Sequence, residues 1–139
     1  MQYIWYALLA LFAYTLVAPL VSLAMQELPA DTVVFVTNGI LVLVALGFII
    51  TNDHSLRSAL THEHAPYMYA AGACLAVGII AYYRALSLGP VSIVVPIFGL
   101  FLVASSVIGM TFLDESVTAR KLAGIILAVI AVFLTTFEG

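Results

Sequence analysis

Charge is scarce in this chain. Of its 139 residues only 8% are Asp, Glu, Lys or Arg, while 65% are hydrophobic. A water-soluble domain carries about 25% charged and about 45–50% apolar residues. The shortfall excludes a soluble globular domain and points to a chain solvated by lipid. Basic residues are rarer still: four Lys and Arg stand against seven Asp and Glu, for a formal net charge of −3. Nucleic-acid partners, which call for basic patches, are excluded on that balance. Cysteine occurs once, at Cys74, so no disulfide framework and no thiolate metal cluster exists within the chain. Among alanines and glycines, Cys74 reads as a small packing residue. The opening residues, Met1-Gln-Tyr-Ile-Trp5, hold no Lys or Arg. A secretory leader would carry a basic start and a shorter apolar core, so the first apolar run reads as a retained span.

What the chain does hold is five long apolar runs. They predict an all-α integral membrane bundle of five transmembrane helices, with spans at about 3–25, 32–52, 65–87, 91–113 and 119–137, forming a single domain over residues 1–139. At about 1.5 Å per residue, some 20 residues cross about 30 Å of hydrocarbon. Tyr3, Trp5 and Tyr6 suit the membrane–water interface. Pro19 inside the first run predicts a kink, and Asp31 reads as the N-cap of the second helix. The longest polar stretch, residues 51–64, predicts a connecting loop with a short surface helix in its middle. The third run is rich in small residues: Ala70, Ala71, Gly72, Ala73, Cys74, Ala76 and Gly78. With Gly124, Ala128 and Ala131 of the fifth run, these are expected to let helices approach closely, within one copy or between copies. Thr118 reads as the cap of the fifth helix, and Lys121 is expected to snorkel to the interface.

Short-loop charge sets orientation. The amino-terminal side carries Arg57, Arg120 and Lys121, and the other side only Arg84. Three against one favours a cytoplasmic amino terminus and an external carboxyl terminus in a cell membrane. A bias this small also permits insertion in both senses.

No nucleophile–base pair is present, so the chain reads as not an enzyme, and no cofactor is expected. His54, His62, Glu63 and His64 include possible metal ligands, but a hydrated loop is the simpler reading, and no metal site is expected. Ser105 and Ser106 have no histidine at their depth. What remains is a set of polar and aromatic residues inside the spans, from which Tyr14, Asn38, Tyr82, Tyr83, Arg84, Ser92 and Pro96 are the candidates to bind a solute. Arg84, near a helix end, either snorkels to water or faces a cavity. Pro96 either bends its helix or frees a carbonyl toward a pathway. No Asp or Glu is expected at depth inside a span, which leaves proton coupling without an obvious group.

One stretch has family-grade pattern. Ala81-Tyr-Tyr-Arg-Ala-Leu-Ser-Leu-Gly-Pro-Val-Ser-Ile-Val-Val-Pro96, followed by Leu113-Asp-Glu-Ser-Val-Thr118 and Gly124, resembles the EamA domain of the drug/metabolite transporter superfamily. Ala85, Leu86, Pro96, Glu115 and Thr118 fall on matching positions. Ala13-Tyr-Thr-Leu-Val-Ala-Pro19 of the first run is a weaker match. The resemblance implies a transporter, in which two five-helix units of inverted orientation hold the solute between them. This chain supplies one unit. The expectation is therefore half of an inverted-repeat transporter for a small organic metabolite or drug-like solute, embedded in the lipid bilayer. It would act as an antiparallel homodimer or with a paralogous five-helix half. The alternative is a non-transporting membrane subunit that stabilises a partner transporter half.

Overall fold

The computed structural model describes residues 2–112 and 116–136, and every regular element among them is helical. Five long helices, α1 (Gln2–Ala24), α2 (Ala30–Thr51), α4 (Ala65–Leu88), α5 (Val91–Phe112) and α6 (Ala119–Thr136), are long and apolar enough to cross a membrane. A five-residue helix, α3 (Leu56–Leu60), lies between α2 and α4. It is the short helix expected in the polar loop. In hydrocarbon each backbone N–H and C=O must find a partner within its own segment, which is why apolar runs of this length become helices. The expected span ends at 113 and 137, and residues 113–115 of the acidic turn, lie outside the described residues.

The chain divides into two compact units, Met1–Leu88 and Gly89–Gly139. In the first unit α4 packs against both α1 and α2. Its buried residues gather at one end: Ala18 and Val21 near the end of α1, Val33 near the start of α2, and Tyr83 and Leu86 near the end of α4. Ala65, at the start of α4, is also buried. Elsewhere large apolar side chains such as Phe12, Phe35 and Leu43 stand exposed, as lipid-facing residues must. α1 runs through Pro19 as a continuous α-helix.

The ends of the helices are set by local chemistry. The residue before α2 is Pro29, which makes no side-chain capping bond. This corrects the expectation for Asp31, which lies inside the first turn of the helix, where its carboxylate is used elsewhere. α2 stops where Asp53 turns left-handed, at φ 52°. The N–H of His54 then reaches the carbonyl of Ile49 at 3.1 Å, and that of Asp53 reaches Ile50 at 3.4 Å. These bonds satisfy carbonyls the helix leaves open. α3 is capped by Ser55, whose hydroxyl oxygen accepts from the N–H of Ser58 at 3.3 Å, and is tied to α4 by the Tyr69 hydroxyl, which donates to the Leu60 carbonyl at 2.7 Å.

In the second unit α5 packs against α6, with Gly109 buried. α5 starts at Pro90, whose carbonyl accepts from the N–H groups of Ile93 and Val94, both at 3.0 Å. Thr118 caps α6 as expected, accepting from the N–H of Lys121 at 3.3 Å.

The small-residue positions behave differently from a packing seam. A Cβ added at Gly72, Gly78 or Gly124 would meet nothing within 4 Å among the described residues. Among the described residues, these glycines therefore do not serve close helix contact within their own unit.

Candidate functional site

The first unit brings polar side chains together along the α2–α4 contact. Thr37 has no room in an apolar helix to leave its hydroxyl unpaired, and it bonds back to its own backbone, as Thr does in helices. Its Oγ1 lies 2.8 Å from the Val33 carbonyl and 3.2 Å from that of Val34. The same oxygen lies 3.0 Å from the hydroxyl of Tyr83 on α4. A threonine hydroxyl has one proton. With that proton directed at the backbone carbonyls, Tyr83 is the donor across the helix pair and Thr37 the acceptor. Tyr83 is only 3% exposed, so the bond is made in a dry, packed position.

Asn38, the next residue on α2, is half-buried and donates from Nδ2 to the Val34 carbonyl at 2.9 Å. Among the described residues its Oδ1 has no hydrogen-bond partner. Counting from Ala30, this amide stands about 12 Å along the helix axis, below the interface. Tyr82 is half-buried, and its ring meets that of Tyr83 edge-to-face with centroids 6.2 Å apart.

Nearer the end of α4, Arg84 reaches across to α2. Its Nη2 donates to both carboxylate oxygens of Asp31, at 3.0 and 3.1 Å. Both side chains remain largely exposed, at 59% and 71%. The guanidinium is thus paired with a carboxylate near the helix ends, an arrangement that decides between neither reading of Arg84. Asp31 and Thr37 were both missing from the expected site. The signal for Asp31 was available: α2 begins, and α4 ends, on the same side of a five-span topology, so an acid and a base at those ends can meet. Nothing in the sequence marks Thr37 as facing α4.

The remaining candidates stand apart from this contact or in the other unit. Tyr14 projects from α1 and is 73% exposed. Ser92 is exposed and Pro96 half-buried on α5, in the second unit. The two are linked by backbone chemistry. Pro96 has no N–H, so the carbonyl of Ser92, four residues before it, loses the donor an α-helix would supply. In the loop, the rings of His62 and His64 lie 5.3 Å apart, and the His64 N–H donates to His62 Nδ1 at 3.2 Å. That local turn engages one of the imidazole nitrogens a metal would need. Among the described residues no group of three or more His, Cys, Asp or Glu is placed to hold a metal ion.

The geometry offers hydrogen bonds and aromatic faces at membrane depth, and a self-neutralised ion pair near the helix ends. No curated protein and no solved structure matches the chain. The pattern of the EamA-like transporter family matches it over residues 1–137, covering all five long helices. The chain is a multi-pass membrane protein that belongs to the EamA-like transporter family.

Proposed function

We propose that this protein is a half-size transporter for a small organic metabolite or drug-like solute, working as a dimer. The observation that carries the reading is the family match itself, which spans a single set of five helices. An odd number of spans places the two ends of the set on opposite sides. A second set must therefore insert in the opposite sense to build an inverted pair around a central path. Either a second copy of this chain, inverted, or a paralogous five-helix half would do so. The amino terminus of the major orientation is cytoplasmic, following the loop-charge bias.

The solute is held by Asn38 and Tyr82, with Tyr83 and Arg84 fixing the α2–α4 frame around them. Tyr14 on α1 is a further candidate in the first unit, and Ser92 with Pro96 are separate candidates in the second. The free Oδ1 of Asn38 supports this assignment, since an unpaired amide oxygen in hydrocarbon is costly and a solute would satisfy it.

Reconstitution into vesicles with a solute panel tests the reading. Uptake by the wild type is expected to weaken with Asn38→Ala by about 2- to 10-fold in apparent affinity, the equivalent of one hydrogen bond. The fold, read by helical content and elution volume, is expected to be unchanged. If assembly with a partner half survives while no member of the panel moves, and Asn38→Ala has no effect on the partner's transport, a stabilising subunit is the better account.

A further inference from the structure

The Asn38 amide limits the kind of solute the first unit can hold. A backbone carbonyl only accepts, so the amide atom that meets the Val34 carbonyl at 2.9 Å must be the nitrogen. The oxygen is the end left over, and among the described residues nothing donates to it. Nor is it sealed in packing, since Asn38 is half-buried and its oxygen keeps some open surface. Acyl chains carry no donor, so lipid leaves this oxygen unsatisfied. What completes it is an N–H or O–H group.

The charge such a group can carry follows from what else these helices hold. Along α1, α2 and α4 there is one acid, Asp31, and one base, Arg84. They are bonded to each other, at 3.0 and 3.1 Å. Asp31 precedes Asn38 by about two turns, so it lies on the same face of α2, about 10 Å nearer the helix start. An ammonium donating to the Asn38 oxygen would find the carboxylate of this face two turns away and already opposed by a guanidinium. An anionic solute would meet the lone pairs of the amide oxygen and an Arg84 that is already neutralised. Either ion would leave water without a counter-charge, which is costly in hydrocarbon. In α5 and α6 the charged residues are Arg120 and Lys121, both in the first turn of α6. A second copy therefore brings no charge to the middle of a span.

We propose that the Asn38 site takes uncharged solutes that donate a hydrogen bond, such as amides and alcohols, and discriminates against organic cations and anions. This rests on Asn38 being a solute contact and adds the class of solute.

Probes of one shape test it: benzamide, neutral with a donor; N,N-dimethylbenzamide, neutral without one; benzylammonium; and benzoate. Binding to the purified full chain in nanodiscs of zwitterionic lipid is read by saturation-transfer NMR, with empty nanodiscs subtracted. Benzamide should bind about 2- to 10-fold tighter than its dimethyl form, the worth of one hydrogen bond. It should bind at least about tenfold tighter than either ion. Asn38→Ala, shown by circular dichroism to be folded, should bring benzamide to the level of the dimethyl form and leave the dimethyl form unchanged. Equal binding of the two amides by the wild type overturns the proposal. So does benzamide binding that survives Asn38→Ala intact. An ion that binds as tightly as benzamide, and loses that affinity in Asn38→Ala, overturns the solute class while Asn38 remains a solute contact. If no probe binds, both the class and the contact fail, and separation of copies in Asn38→Ala then assigns the amide to contact between them. Selective benzamide binding with no solute carried in reconstituted vesicles supports the solute class and removes the transport reading instead.

Discussion

Tyr83 donates to Thr37 from a packed position, while its neighbour Tyr82 stays half-buried. The difference separates a side chain that ties helices together from one that stays partly open. Tyr83→Phe keeps the ring and removes the donor. It is expected to destabilise the protein by about 0.5–1 kcal/mol, the usual worth of an interhelical bond in a membrane protein. Thr37→Val should cost a similar amount. The double variant should cost less than the two together, because both remove the same bond. Unfolding in mixed micelles by a denaturing detergent measures all three. Equal and additive losses would mean that the bond is not shared. This contact was not legible in the sequence, for a physical reason. In a soluble helix, the polar face marks what is outside. In α2 and α4 the lipid-facing side is as apolar as the packed side, so periodicity does not say which residues turn inward. Tyr82, Tyr83 and Arg84 were all expected to bind solute, yet they end in three situations: half-exposed, packed, and paired with Asp31. Asn38 stands out in the sequence because an amide is conspicuous in hydrocarbon wherever it points.

The elements themselves were the readable part. Length and apolarity define a span in lipid without reference to any neighbour, so the five long helices and the small loop helix could be read from composition alone. Their ends depend on short-range bonds and were less legible. Asp31 looks like a cap by residue type, but α2 begins one residue earlier and frees that carboxylate for Arg84. The other end of α2 depends on Asp53 holding a left-handed backbone, a conformation that costs most residues with a Cβ about 1–2 kcal/mol and Asp less. Asp53→Gly should therefore raise stability by up to about 1 kcal/mol. Asp53→Val should lower it, since a β-branched residue is a strained occupant of that region. Melting temperatures of the two variants in one detergent check both signs. The small-residue runs had been expected to bring helices together, within one copy or between copies. The open space above Gly72, Gly78 and Gly124 shows that these three glycines are not packed against helices of their own unit.

For the whole molecule the sensitive quantity is the count of basic residues by side. With Arg57, Arg120 and Lys121 on one side and Arg84 on the other, two added lysines at the amino terminus should hold nearly all copies with that end in the cytoplasm. Two lysines added instead to the connection between α1 and α2 should hold them in the opposite sense. If two inverted copies form the transporter, each locked variant should be inactive alone, and their co-expression should restore uptake. Accessibility of tags at both termini reports the orientations directly. Full activity from one locked variant by itself would rule out an antiparallel homodimer and favour a separate partner half. The pair between Asp31 and Arg84 adds a demand on synthesis. The partners are 53 residues apart, so at about 5–20 residues per second Asp31 waits roughly 3–10 s at the membrane before Arg84 is made. Through that interval the start of α2 must keep its carboxylate in water. Because both partners stay largely exposed once paired, that wait demands no change of depth, and the pair closes when the last turn of α4 is made.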